Sequence, residues 1–202
     1  MHHRSGDDGV ELILERVRAC RACAEVLPFG ARPIFQLSKT ATILIASQAP
    51  GSKAHFSGIP FSDPSGDRLR QWTGLSKDQF YDRRHIAILP MALCYPGRAR
   101  GSGDAPPRPE CALLWRNQLL EQLPGIRLTL LVGTYAQAHV LGLGSLTDRV
   151  RNFRSHLPDY FPLPHPSWRS RFWVERNPWF ETDVLPALRT AIRYASDPRP
   201  LI

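Results

Sequence analysis

Four cysteines form two pairs that could bind one metal centre together. Cys20 and Cys23 make a C-x2-C motif, and Cys94 and Cys111 make a second pair with sixteen residues between them. Four thiolates suit a tetrahedral zinc ion or a [4Fe–4S] cluster, and spacing does not separate the two. The alternative is that Cys94 is a small buried apolar residue and the others are incidental. Because the chain has only these four cysteines, we expect them to be ligands of one centre.

A late histidine is the first candidate for a catalytic group. His165 opens the segment HPSWRSR, residues 165–171. A neutral imidazole can donate a hydrogen bond to an oxygen that becomes negative as a leaving group departs. The alternative is that His165 only completes a turn before Pro166.

The segment GIPFSDPSGDRLR, residues 58–70, combines an aromatic ring with two carboxylates. Phe61 offers a face on which a flipped base could stack, and Asp63 or Asp67 could hold a water molecule. In the alternative interpretation Phe61 is a core residue, and Asp63 or Ser65 caps the helix that begins near Gly66.

The elements that must position these groups alternate between strands and helices. Apolar β-branched runs predict strands, and apolar residues at helical spacing predict helices. The predicted strands are residues 42–46, 86–93, 127–132 and 161–164, and the predicted helices are residues 10–23, 111–123 and 178–194. This alternation favours an α/β fold with a parallel sheet. The loop SQAPGS (47–52) and the loop that starts at His165 then follow strand ends on one edge.

Composition is typical of one compact domain spanning residues 1–202, with tails at 1–8 and 196–202 that we expect to be disordered. The Pro/Gly/Arg-rich stretch 95–109 is predicted to be a long loop within that domain. A net charge of +8 indicates a polyanionic partner such as nucleic acid. No apolar run is long enough for a membrane span and no signal peptide is evident, so we expect a cytoplasmic protein without membrane contact.

Five motifs in this order resemble the uracil-DNA glycosylase superfamily, especially its iron–sulfur branch, often called family four. They are the C-x2-C pair, SQAPG at 47–51, GIPF at 58–61, the pair Cys94 and Cys111, and HPS at 165–167. The resemblance covers nearly the whole chain. It implies a three-layer α/β/α fold with a central four-stranded, mainly parallel sheet and hydrolysis of an N-glycosidic bond in DNA. It also favours a [4Fe–4S] cluster over zinc.

Carried over by position, the resemblance assigns roles to individual residues. Gln48 would contact the flipped base, Phe61 would stack on it, and His165 would stabilise the departing base anion. The DNA-binding candidates on the two sides of the groove are Pro50, Gly51, Ser52 and Lys53, and Ser167, Trp168 and Arg169. Trp168, Arg169 or Phe172 could also fill the gap that a flipped nucleotide leaves.

Two departures from the family pattern affect the expected chemistry. Ala49 stands where active relatives carry an Asp that aligns water, so Asp63 is the substitute candidate and Asp67 the reserve. Pro90 or Met91 stands where relatives carry an Asn that reads the uracil edge. Neither side chain replaces an amide, so a different deaminated base, such as hypoxanthine or xanthine, could be accepted.

Together these features predict a monomeric, monofunctional DNA-repair glycosylase that removes uracil or another deaminated base. The main alternative is a protein of the same fold that binds damaged or abasic DNA without cleaving it. A further alternative is a general nucleic-acid module with a zinc site.

Overall fold

The computed structural model describes residues 5–101 and 103–197. Its centre is a sheet of four strands: β1 (Ile43–Ala46), β2 (Ile86–Ile88), β3 (Leu128–Val132) and β4 (Tyr160–Leu163). The spatial order is β2-β1-β3-β4, and all three strand pairs are parallel. The order reverses between β1 and β3, and open α/β sheets bind ligands at the carboxyl ends of strands beside such a reversal.

The strand predictions are confirmed except at the end of β2. The predicted strand 86–93 ends at Ile88, because Pro90 has no N–H for a sheet ladder. Beyond Ile88 the chain stays beside β1 as irregular backbone, with Met91 N–H donating to the Ser47 carbonyl at 2.7 Å.

Helices make up most of the remaining regular structure in the described chain. They are α1 (Ser5–Arg18), α2 (Ser52–Ser57), α3 (Pro64–Thr73), α4 (Lys77–Tyr81), α5 (Pro109–Cys111), α6 (Asn117–Leu120), α7 (Thr134–Leu141), α8 (Leu146–Arg151), α9 (Ser170–Arg176) and α10 (Leu185–Ser196). A π-helical turn at Ala112–Arg116 joins α5 to α6, and another at Phe180–Val184 leads into α10. A 3₁₀ turn spans Phe153–His156.

Three predicted boundaries can be compared with these helices. The predicted helix 10–23 ends at Arg18, so Cys20 and Cys23 lie in the turns that follow it. Of the two predicted tails, residues 5–8 belong to α1 and residue 196 ends α10. Residues 1–4 and 198–202 of those tails lie outside the described residues.

Alternate residues of each strand pack against opposite helical layers, as period-two side-chain placement requires. On one face Ile43 and Ile45 pack in a core cluster with residues of α3, α4, α8 and α10. On the other face Leu44 packs with residues of α1 and α6, and Ala46 packs with α7. The protein is therefore a three-layer α/β/α sandwich, as predicted, with a sheet that is parallel throughout. Among the described residues, none of the helices combines the length and apolarity that a membrane crossing requires.

Candidate active site

A cavity of about 700 Å³ lies at the carboxyl edge of the sheet. Its wall is formed by members of residues 47–51 after β1, residues 60–65 at the start of α3, Pro90 after β2, residues 98–104 of the long loop, and residues 165–169 after β4. SQAPG, GIPF and HPS thus meet at one place, although more than a hundred residues separate the first from the last.

The loop after β1 is held from two sides. Met91 and Ala92 donate backbone N–H groups to the carbonyls of Ser47 and Gln48, at 2.7 and 3.1 Å. The Gln48 side chain donates through Nε2 to the Ala105 carbonyl at 2.9 Å. This bond ties the base-binding candidate Gln48 to the long loop.

His165 lies at the end of β4, where several neighbours fix its position. Gln137 is fully buried and donates to the Leu163 carbonyl at 2.9 Å, which anchors the strand end. Gly133 (φ 85°) packs so closely that a Cβ there would stand 3.3 Å from the His165 Cβ. The Ser170 hydroxyl donates to the His165 carbonyl, and Arg68 of α3 donates to the Ser167 carbonyl at 2.7 Å.

Burial also sets the charge of His165. Desolvation lowers its pKa below 6.5, and the nearby Asp63 carboxylate only partly opposes this shift. The imidazole is therefore neutral at pH 7, the state that can donate one N–H while the other nitrogen accepts.

Phe61 lines the same cavity in an unusual backbone conformation. Its φ of 55° lies in the left-handed region, which is strained for a residue other than glycine and is a feature that clusters at functional sites. The Tyr81 hydroxyl can donate to the Pro60 and Phe61 carbonyls, at 2.9 and 3.1 Å. The Phe61 ring packs edge-on against Phe80. The fold therefore holds the Phe61 ring in place by constraints on its backbone.

Gly66 is essential to that arrangement, and its replacement gives a stability prediction. A Cβ on Gly66 would stand 1.8 Å from the Phe61 carbonyl oxygen. We expect Gly66→Ala to lower the free energy of unfolding by about 3 kcal/mol or more, because rigid backbone must move. Urea denaturation measures the change, with Gly101→Ala as control since a Cβ there meets nothing within 4 Å. Equal stability of the two variants would contradict the argument.

The two candidate aspartates have different surroundings. Asp63 is the N-cap of α3 and accepts the Gly66 N–H through Oδ1 at 2.9 Å. It also lines the cavity, so capping α3 does not remove Asp63 from the candidate site. Asp67 lies on the other side of α3, borders a different cleft and pairs with Arg70 through an exposed side chain. The reserve candidate Asp67 is therefore not brought to the cavity.

The remaining base-binding and DNA-binding candidates divide between the wall and the rim. Ala49, Pro50, Gly51, Ser167, Trp168 and Arg169 all line the cavity, whereas Ser52 and Lys53 are exposed at the start of α2. Met91 is 6% exposed and is not part of the wall. Pro90, the other residue proposed for the base-reading position, does line the cavity.

Asp104 is a site residue that the sequence analysis missed. It lies in the long loop, which folds back on itself through Ala99 N–H to Gly103 carbonyl and Ala105 N–H to Gly97 carbonyl bonds. Asp104 lines the cavity and its side chain is exposed to solvent. Desolvation raises its pKa and the Asp63 charge adds to the rise, whereas a hydrogen bond from Tyr95 opposes it.

The four cysteines also meet at one place. All are free thiols and all line a second, small cavity. Apart from Arg108, its other walls are apolar side chains, among them Leu27, Leu93 and Trp115. Within residues 5–101 and 103–197, no three His, Cys, Asp or Glu side chains are grouped closely enough to hold a single metal ion. The cysteines thus surround the cavity rather than converge on one point.

Hydrogen-bond donors face three of the sulfur atoms. Trp115 Nε1 donates to Cys20 Sγ at 3.2 Å, and Leu93 N–H donates to Cys111 Sγ at 3.3 Å. The Arg32 backbone N–H faces Cys94. Burial, with a smaller contribution from the other three thiols, raises the pKa of Cys94 to about 12. Metal binding here must therefore displace thiol protons.

The chain is similar to known proteins both in sequence and in structure. Among solved structures, the chain is similar to the solution NMR structure of a candidate uracil DNA glycosylase from Methanosarcina acetivorans. Sequence identity is 16%, the match covers 79% of this chain and 98% of that one, and the TM-score is 0.46. Residues 35–189 match the family described as the uracil DNA glycosylase superfamily. This match spans well over half of the chain and includes every motif of the large cavity, so the chain belongs to the uracil DNA glycosylase superfamily.

Proposed function

We propose that this protein is a monofunctional DNA glycosylase that hydrolyses the N-glycosidic bond of a deaminated base and leaves an abasic site. The observation that carries the proposal is the cavity in which the SQAPG, GIPF and HPS segments meet around a neutral His165. Its volume of about 700 Å³ lies within the range of pockets that enclose small ligands.

In the proposed reaction the damaged nucleotide leaves the helix and its base enters the cavity. Stacking on Phe61 offsets part of the unstacking free energy of a few kcal/mol. As the bond from C1′ to the base nitrogen breaks, its electron pair moves into the base. His165 then donates an N–H to the base oxygen that becomes negative.

The sugar needs a water molecule and a nearby negative charge, which Ala49 cannot supply. Asp63 is the acceptor that supports this role, because it lines the cavity and interacts with His165. Its Oδ1 is used by the Gly66 N–H, and Oδ2 remains to accept from water.

Contacts with DNA would come from both sides of the cavity. Arg98 and Arg169 line the cavity and would lie near DNA phosphates. Contacts with phosphates position the protein on DNA without reading the base sequence. Trp168 is 68% exposed there, and the Arg169 guanidinium lies over its ring at 5.5 Å. An exposed ring beside the cavity suits the space that a flipped nucleotide leaves. Phe172 is also exposed but is not part of the wall.

The identity of the base is tested directly. Purified protein is incubated with labelled oligonucleotides carrying uracil, hypoxanthine or xanthine, treated with alkali, and examined for strand breaks at the lesion. The same sequences with undamaged bases are the control. We expect cleavage of at least one lesion. Pro90 has no side-chain amide to pair with uracil. Hypoxanthine and xanthine are therefore tested as substrates on the same footing as uracil.

A second candidate function follows from Ala49 and Pro90, which remove two groups that active relatives use. A protein of this kind could bind damaged or abasic DNA without cleaving it. Lesion binding without cleavage of any of the three substrates would favour this function over glycosylase activity.

We also propose that Cys20, Cys23, Cys94 and Cys111 hold a [4Fe–4S] cluster. Support comes from the donor set, the apolar cavity and the N–H groups that face three sulfurs, which suit a cluster whose irons each take one thiolate. The cluster, at fixed oxidation state, would supply structure rather than redox chemistry. Its ligands would tie the turn after α1 to both ends of the long loop.

A further inference from the structure

Two carboxylates meet beside Gly51, at the start of α2. The Oδ2 atoms of Asp104 and Asp63 lie 3.6 and 3.7 Å from the point where a Cβ on Gly51 would stand. Asp63 comes from the N-terminus of α3 and Asp104 from the long loop, so the fold brings them together from distant parts of the chain. Both oxygens border one small space, and a water molecule there could donate a hydrogen bond to each.

Each carboxylate has one oxygen that faces this space and a separate anchor. Asp63 is fixed through Oδ1 by the Gly66 N–H, and the Asp104 carboxylate is hydrogen-bonded by the buried Tyr95. The space itself exists because residue 51 has no side chain. The backbone of Gly51, at φ −81° and ψ 175°, would accept alanine, so the absence of a Cβ is not required by the turn.

We propose that Asp104 is a second catalytic carboxylate and that it holds the attacking water together with Asp63. This inference rests on the proposed glycosylase function. The water oxygen forms a bond to C1′ while the bond from C1′ to the base nitrogen breaks and the base takes the electron pair. The water proton passes to one of the two carboxylates and returns through solvent to the departed base. The pair also offsets the positive charge that develops on the sugar, the task that Ala49 leaves unfilled.

The charges around Asp104 determine the expected pH dependence. Asp63 and desolvation raise its pKa, while Tyr95, Arg98 and Arg169 lower it, and the net shift is upward. A carboxylate that accepts a proton must be ionised, so the rate rises as pH increases through this raised pKa and then levels off. Removing Asp104 is expected to abolish that rise.

The test compares single-turnover excision by the wild type, Asp104→Asn and Asp63→Asn, on the base that the wild type removes. Asparagine also caps helices well, so Asp63→Asn preserves α3. We expect each variant to lose about 100-fold or more in rate with little change in lesion affinity. Asp148 is an exposed carboxylate on α8, so Asp148→Asn is the matched control and keeps the wild-type rate.

An Asp104→Asn rate within about threefold of wild type would overturn the proposal. The proposal would also be overturned if Asp104→Asn lost excision rate on one base and gained it on another, since that pattern indicates that Asp104 recognises the base.

A binding measurement separates this proposal from the proposed function. Oligonucleotides carry either a cationic pyrrolidine or a neutral tetrahydrofuran in place of the damaged nucleotide. A carboxylate pair at the sugar predicts that the wild type prefers the cationic analogue by about tenfold or more, and that Asp104→Asn loses the preference. If the wild type excises no base, glycosylase activity is excluded but this preference still tests the pair. Equal affinity for both analogues would overturn the role of Asp104.

Discussion

Replacing His165 with alanine is expected to lower the single-turnover rate of base excision by about 10² to 10³-fold, the usual effect of removing one donor to a developing oxyanion. The effect falls on chemistry because His165 is held at the end of β4 by its neighbours rather than holding the loop itself. Affinity for DNA with a tetrahydrofuran abasic site should stay close to wild type.

The charge state of His165 adds a pH criterion to the same experiment. Burial lowers its pKa below 6.5, so the imidazole is neutral throughout the range from pH 7 to pH 8. The ratio of wild-type to His165→Ala rates should therefore be constant over that range. His85→Ala is the control, because His85 is exposed immediately before β2, at the opposite edge of the sheet. A His165→Ala rate equal to that of His85→Ala would remove the catalytic assignment.

Replacing Cys94 with alanine is expected to abolish bound iron and the absorbance of the protein in the blue region. Three thiolates remain, but the irregular segment after β2 that carries Cys94 no longer supplies a ligand. We expect a lower melting temperature and weaker DNA binding, because the turn after α1 and the long loop lose their common attachment. Iron and zinc per chain, the visible spectrum and thermal unfolding measure the outcome.

A milder variant separates loss of the cluster from general misfolding. Trp115→Phe keeps all four thiolates and an aromatic ring at the cavity wall but removes the indole N–H that faces Cys20. It is expected to retain iron and colour. If the wild type is colourless and contains zinc, the four cysteines form a zinc site rather than a cluster site. If Cys94→Ala retains all of its iron, Cys94 is not a ligand.

Much of this fold could be predicted from local pattern. β1, β3 and β4 are short, mainly apolar runs that lie within a residue or two of their predicted bounds, because strands buried on both faces need nearly continuous apolar side chains. The meeting of the SQAPG and HPS loops followed from the rule that carboxyl ends of parallel strands share an edge.

Other features depended on tertiary contacts that no local pattern reveals. Met91 and Pro90 were equal candidates for the cavity. The Met91 N–H bonds to the Ser47 carbonyl, and the Met91 side chain is buried outside the cavity wall. Asp104 was missed because a Pro/Gly-rich loop has no periodicity to indicate which side chain folds back. Which side of α3 faces the cavity is likewise decided by how the helix packs, and it leaves Asp67 at a different cleft.

The long loop has an additional property that comes from the positions of its ends. It begins after Cys94, ends before Cys111, and carries Asp104 between them. Joining both ends to one cluster would convert the segment from an open chain into a closed ring, which removes conformational entropy from its unclosed states. Binding of the cluster would then restrict the motion of Asp104, although Asp104 lines the large cavity and not the cysteine cavity. Oxidative loss of iron would slow excision without altering any residue that contacts the base.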